Sequence, residues 1–215
     1  VVFGCLRQAR ADRVPAEGSS ALWNLRLAGG QTIKGIDPES IRGATRFNVN
    51  GFNTGGTGAR PGKDGLAVTS FPSGVRNVAV EITEALSPVV FWKKEFRPDS
   101  GGPGEHRGGM GQIMEIGNTE HAPMIISATF DRITHPARGT GGGLNGAPGR
   151  ASLKSGATLR GFGRQVIPAG DRVVLETPGG AGIGDPGKRA PEKLADDVKN
   201  GLVTAEAARA AYRQK

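Results

Sequence analysis

The stretch Gly55-Gly56-Thr57-Gly58-Ala59-Arg60-Pro61-Gly62-Lys63-Asp64-Gly65 sets the reading of the whole chain. It is either slack, low-complexity backbone or backbone held in a fixed loop. Glycine serves both, because it reaches positive φ freely and lets the backbone approach a ligand closely. The rest of the sequence decides. There are 36 glycines and 14 prolines in 215 residues, well above the ~7% glycine of an average protein and with no collagen period. Between the glycines lie short apolar runs, Val89-Val90-Phe91-Trp92 and Met124-Ile125-Ile126 among them. Disordered chains have few such runs, so fixed loops on a globular, β-rich framework are expected.

Working outward, Leu22-Trp23-Asn24-Leu25-Arg26-Leu27 alternates apolar and polar, the period of a half-buried strand. Gly29-Gly30 makes a turn, and Thr32-Ile33-Lys34-Gly35-Ile36 reads as the hairpin partner. Residues 48–65 read as one long irregular segment. Residues 77–84 and 89–96 read as extended, 99–111 as a second glycine-dense loop, and 112–116 and 124–130 as strands. A third glycine cluster covers 139–149. Two strand-like runs within 159–176 are joined by Pro168-Ala169-Gly170-Asp171, a turn by composition, and 179–187 is a fourth cluster. Residues 1–9 suggest a short helix. Pro191 at a first helical position, with Leu194 and Val198 four apart, gives a helix that stops at Gly201, and 204–211 gives another. There is no fixed-period repeat and no internal boundary. The expected fold is α+β in a single domain over 1–215: mainly short antiparallel strands, long Gly-rich loops, and short helices at the two ends.

The charge of +8 is compatible with nucleic acid, an anionic partner or anionic substrates. Against nucleic acid, the basic residues are scattered, aromatics are only 5%, and Arg107-Gly108-Gly109 is a single unrepeated copy of an RGG tract. Cys5 is the sole cysteine, which excludes an internal disulfide and a thiolate zinc cluster. Its apolar surroundings read as core, and its solitude fits a reducing cytosol. No apolar run approaches the ~18 residues of a membrane span. The chain opens without Met in the apolar run Val1-Val2-Phe3, which reads as a fragment of something longer.

Several residues carry candidate chemistry. In the 55–65 loop, converging N–H groups can hold an anion, with Arg60 and Lys63 adding charge. Thr57 where a phosphate loop needs its first glycine, and Asp64 after the lysine, rule out a nucleotide P-loop. The alternative is an Ω-like loop in which Asp64 caps a turn. Glu81 and Glu84 are three apart, and on a helix they would share a face, as a pair suited to acid–base work. The alternation of Val78, Val80 and Ile82 instead points them to opposite faces of a strand, as ordinary solvated or ion-paired carboxylates. In 99–111, the planar fork of Arg107 suits a carboxylate. Either it holds an anionic substrate group with Asp99 orienting it, or the two form a clasp within the fold. His106, His121 and His135 lack ligand spacing, so no metal site is expected. Ser70, Ser73 and Ser100 lack a nucleophile-elbow context.

The 55–65 loop also resembles the signature of the hydantoinase B family. Residues 77–88, with Glu81 and Glu84, are similar to the segment that follows it there. Arg97-Pro98-Asp99-Ser100-Gly101-Gly102-Pro103-Gly104 with Arg107-Gly108-Gly109 resembles a second hallmark. The likeness continues through Ala128-Thr129-Phe130-Asp131-Arg132, Ala169-Gly170-Asp171-Arg172 and Thr177-Pro178-Gly179-Gly180, and through Asp197-Val198 to Gly201 and Glu206 to Tyr212. These motifs keep the family's order and cover most of the chain, least well before Arg42.

The resemblance implies the C-terminal portion of a cytoplasmic subunit working in a hetero-oligomer with a hydantoinase A-type partner. ATP and Mg are expected on that partner, and no cofactor in this chain. Such pairs hydrolyse small cyclic amides such as hydantoins or oxoproline, while related pairs carboxylate ketones. The family's upstream part, rich in Asp and His, is where its metal site is expected. It is absent from this sequence, so the isolated chain is expected to be inactive. Arg60, Asp64, Asp99 and Arg107 are the candidate substrate contacts, and no catalytic residue is assigned. Two rival readings remain: a non-catalytic interaction module of the same complex, and a basic nucleic-acid-binding domain.

Overall fold

The structure is a computed structural model that describes residues 2–20, 22–32, 34–69, 71, 73–75 and 78–212. Ile33, Ser70 and Asn77 lie outside the described residues. Strands β1 (Trp23–Gly29), β2 (Phe47–Asn53), β5 (Met124–Thr129) and β7 (Phe162–Ile167) form one antiparallel sheet in the order β2-β1-β5-β7. Strands β3 (Val89–Phe96), β4 (Gln112–Asn118), β6 (Arg150–Leu153) and β8 (Arg172–Glu176) form a second, in the order β3-β4-β8-β6. With helices α1 (Val2–Ala9), α2 (Val80–Leu86), α3 (Pro191–Lys199) and α4 (Ala205–Tyr212), the class is α+β with antiparallel sheets.

One apolar face of each sheet feeds a single core. Trp23, Leu25 and Leu27 from β1 and Met124, Ile126 and Ile167 from β5 and β7 meet Met114 and Ile116 from β4 and Val173 and Leu175 from β8. The period of 2 in β1 puts its odd-numbered residues inward and Asn24, Arg26 and Ala28 outward. Trp23 anchors one end of the core. Its ring stacks on Phe130 at 4.3 Å between centroids, and its Nε1 donates to Asp131 O at 3.0 Å, so its one polar atom is satisfied despite burial. On the outer face of β4, Glu115 is nearly buried but paired with Lys154 and Arg172 at 2.9 and 2.8 Å. Those two hydrogen bonds hold its carboxyl below the ordinary range.

Four local expectations are corrected. The partner of β1 is β2, in register from Trp23–Asn53 to Gly29–Phe47, and not residues 32–36. Lys34 and Gly35 form a turn, and Pro38 then opens a 3-10 helix (Pro38–Ile41) capped by the Asp37 carboxylate. Proline ends any strand there by removing a ladder donor. Residues 47–53 are therefore not irregular. Their strand signal is masked because asparagines fill outward positions and Gly51 an inward one, and pairing with β1 overrides their poor intrinsic preference. Residues 80–86 are helical, not extended. None of them is buried, so the alternation there does not record a buried face. Cys5 lies exposed on α1 instead of in a core. The short strand β6 was not anticipated at all.

The C-terminal helices match their expected positions. Gly201, at φ +68°, ends α3 in the left-handed conformation that suits glycine. Leu194, Val203, Ala208 and Tyr212 form a small second core between α3 and α4.

Candidate functional site

The four glycine-dense stretches come together. Residues 179–184 run through the middle of the junction, hydrogen-bonded on several sides. Gly180 N donates to Gly109 O at 3.0 Å, Gly102 N to Gly180 O at 2.8 Å and Ala59 N to Ala181 O at 2.8 Å. Gly182 N donates to Leu144 O at 3.0 Å, and His106 and Ile183 exchange both backbone bonds. The pairing crosses between separate loops, so the junction behaves as a small knot of extended backbone and not as four independent turns.

The reason for glycine here differs from the expected one. Gly56, Gly108, Gly109, Gly179 and Gly180 do not have positive φ. They are required because a Cβ would overlap neighbouring backbone: on Gly56 it would strike Gly109 O, and on Gly180 it would strike Thr57 O. Close approach of backbone to backbone, not bending, explains these five positions, while Gly62, Gly141, Gly142 and Gly184 in the same stretches do take positive φ.

The same packing answers the anion question for the 55–65 loop. Gly56, Thr57, Ala59, Arg60, Lys63 and Gly65 all donate their N–H groups to protein carbonyls, and the Thr57 hydroxyl accepts from Leu66 N at 2.7 Å. Those amides cannot also cradle a phosphate. Lys63 stands exposed.

Beside the knot lies a buried ion network. Asp64 takes both Arg189 Nη atoms at 2.9 Å, and Arg189 continues to Asp197 at 2.6 Å. Arg107 grips the same Asp197 through Nε and Nη2 at 3.2 and 3.1 Å, and gives its Nη1 to Gly108 O and its backbone N–H to Asp64. The side chains of Arg189, Arg107 and Asp197 are 1%, 7% and 8% exposed, so these charges are tolerable only as a balanced set of two arginines and two aspartates. Burial opposes ionisation of Asp64, but the Arg189 hydrogen bonds and charge outweigh it and hold its carboxyl below the ordinary range. Tyr212 closes the network from α4. Burial pushes its phenol up to about 12 against the opposing pull of the two arginines, and its hydroxyl has no partner among the described residues.

Asp64 and Arg107 are thus brought together, joined by a backbone hydrogen bond. Asp99 is not brought to Arg107, and the Arg107–Asp99 clasp is corrected: the partner is Asp197, 90 residues away. Asp99 accepts from Thr204 N at 2.8 Å, tying the second hallmark loop to the start of α4. Arg60 donates Nε and Nη2 to Asp64 O at 3.0 and 2.8 Å, while its Nη1 makes no hydrogen bond among the described residues. Asp64 binds Arg189 and does more than cap a turn. Ser100 is wholly buried, spending its hydroxyl on Arg97 O and Gly111 N. The histidines are scattered, and among the described residues no group of three or more His, Cys, Asp or Glu is placed to hold a metal. Glu84 accepts from Phe91 N at 2.8 Å, a structural duty. Sequence reasoning missed Arg189, Asp197 and Tyr212 as members of this network. The likeness around Asp197 and Tyr212 was the only signal, because no local spacing links residues so far apart.

Among the described residues no helix is long and apolar enough to cross a membrane. The structure is similar to that of the ATP-dependent caprolactamase from Pseudomonas jessenii, with TM-score 0.74 and 24% identity over 96% of this chain and 36% of that one. It is also similar to nucleotide-free acetone carboxylase, with TM-score 0.69 and 22% identity over 93% of this chain and 30% of the other. In sequence, the caprolactamase subunit beta of Pseudomonas jessenii is 30% identical over 219 residues, covering 96% of this chain and 36% of that subunit. The chain spans about a third of the length of the curated relatives it matches. The profile described as Hydantoinase B/oxoprolinase matches residues 1–186, and the chain belongs to that family.

Proposed function

We propose that the chain is the C-terminal portion of a hydantoinase B-type subunit in a cytoplasmic, ATP-dependent hydrolase of cyclic amides, assembled with a hydantoinase A-type partner that binds ATP and Mg. The profile match over residues 1–186, together with the likeness to a caprolactamase subunit, carries this reading. In such a reaction ATP activates the amide oxygen, water attacks the ring carbonyl, and preorganised donors stabilise the developing oxyanion. This chain's share is rigidity: the glycine knot fixes loop positions, and the Asp64–Arg189–Asp197–Arg107 network locks the C-terminal helices to it. Arg107 and Asp64 act as positioning residues, since their side-chain polar atoms are engaged within the fold, and Asp99 does so through Oδ1, which accepts from Thr204 N. Arg60, with Nη1 to spare, is the member of the original set that reaches an anionic or carbonyl group of substrate. The fold shared with acetone carboxylase favours one second reading, ATP-dependent carboxylation of a ketone.

The test uses the full-length subunit containing this chain, mixed with its nucleotide-binding partner. Hydantoin, 5-oxoproline, caprolactam and acetone with bicarbonate are supplied with and without ATP. ATP-dependent ring opening supports the hydrolase, and carboxylation of acetone transfers support to the second reading. Neither activity, with both subunits folded and associated, removes both. Within the active assembly, Arg60→Gln is expected to raise KM about tenfold, with only the small loss of Tm that follows from releasing the Asp64 carbonyl. An unchanged KM takes Arg60 out of the site.

A further inference from the structure

The outer face of the sheet β2-β1-β5-β7 carries a feature that the proposed function does not use. Arg26 of β1 lies in register with Asn50 of β2 on one side and Ser127 of β5 on the other, and Ser127 lies in register with Arg164 of β7. Two arginines therefore flank one small residue across three adjacent strands, about 10 Å apart at Cα by the usual strand spacing. The turn that follows β1 brings Gly35 beside Val166 of β7 and places Lys34 at the same spot. An open cleft of about 460 Å³ results, with Arg26, Lys34 and Arg164 around it and Ala28, Ile125 and Ser127 beneath. A cleft of this volume fits a small ligand.

Its chemistry is one-sided. No Asp or Glu lines it, and the ion pairs of the described residues are made by other groups. Arg26 is nonetheless held in place. In the orientation that satisfies both ends of its amide, Asn24 accepts from Arg26 Nε and Nη2 at 3.1 and 3.2 Å and donates to Asn50. That leaves Nη1 for a ligand, on a side chain already restrained and so losing less entropy on binding. Ser127 stands between the two arginines, and the apolar Ala28 and Ile125 lie in the next row along the same face, a floor that suits a short hydrocarbon spacer and not a compact, fully hydrated ion.

We propose that this cleft binds a short aliphatic dicarboxylate, one carboxylate on Arg26 and the other on Arg164, with Lys34 closing over the spacer. The inference does not depend on the enzymatic reading, because the site is built from the sheet and the turn after β1. The chain is titrated calorimetrically with glutarate, acetate and inorganic phosphate at low ionic strength, where exposed charges are least screened. Glutarate is expected to bind at one site, about tenfold more tightly than acetate or phosphate. Arg26→Gln and Arg164→Gln each lower that affinity about tenfold, with Tm unchanged because both side chains are exposed. Ser127→Asp puts a tethered carboxylate between the arginines, so it is expected to abolish glutarate binding while raising Tm. Equal, weak binding of all three anions, or glutarate affinity unaffected by the arginine substitutions, overturns the proposal. Capture of a poly-aspartate peptide without glutarate binding overturns it too, in favour of an acidic protein segment.

Discussion

Gly180→Ala is expected to abolish cooperative folding, or to cost at least the upper end of the ~1–3 kcal/mol typical of overpacking. The added methyl has nowhere to go. It would meet the carbonyl of Thr57, which is fixed because it accepts the Gly109 N–H at 2.8 Å. Backbone cannot step aside as a side-chain end can, and moving it breaks the hydrogen bonds of two loops at once. Two control substitutions separate this from a general intolerance of alanine. Gly62 has φ +73° but open space around it, so Gly62→Ala is expected to cost only the left-handed strain of about 1–2 kcal/mol. Gly4 sits in α1 with nothing near it, and Gly4→Ala is expected to be neutral or to stabilise by about 0.5–1 kcal/mol. Urea unfolding of the three variants measures the order. A Gly180→Ala protein as stable as Gly62→Ala would mean that the knot yields.

Arg189→Met is expected to cost about 3–5 kcal/mol, the range for removing one partner of a buried ion pair. The loss exceeds the worth of the bonds themselves, because Asp64 and Asp197 would then face Arg107 alone. The pair Arg189→Met with Asp64→Asn restores the balance of one arginine and one aspartate, and is expected to recover more than half of the loss. The pH dependence has a definite sign. In the native protein the Asp64 carboxyl lies below its ordinary value, so its contribution is full above that value and is lost as pH falls through the lowered one. In Arg189→Met the surplus carboxylate is expected to titrate above its ordinary value. Its neutral form then favours folding below that value, and the benefit disappears as pH rises through the raised one. The stability gap between the two proteins is thus expected to narrow on going from about pH 7 to about pH 5. A gap that stays constant or widens would place the uncompensated charge elsewhere.

What the sequence could reveal followed local physics. The alternation through Trp23–Leu27, the stop at Gly201 and the first-turn Pro191 are each readable within one turn or strand, and each element stands where expected. Phe47–Asn53 hid because asparagine and glycine were read as loop residues, when they were tolerated on a strand already paired to β1. Val80–Leu86 misled because exposed valine and isoleucine imitated a strand period without any buried face to impose it. The glycine clusters drew notice for bending, yet at the knot their role is the missing Cβ, which only the neighbour's position reveals. The ion network was half visible. Asp64 and Arg107 stood out on their loops, but Arg189 and Asp197 answer them from the far end of the chain, and no spacing rule reaches that distance. Asp99 was singled out for the right loop and the wrong partner.

Native-state hydrogen exchange read amide by amide addresses the knot most directly. The N–H groups of Gly56, Ala59, Gly109 and Gly180, all outside regular strands, are expected to exchange only through global unfolding, with the same opening free energy as Ile126 in β5. Exchange of those four within minutes, while Ile126 stays protected, would show the glycine stretches to be loose connections between strands and would contradict their role as a rigid frame.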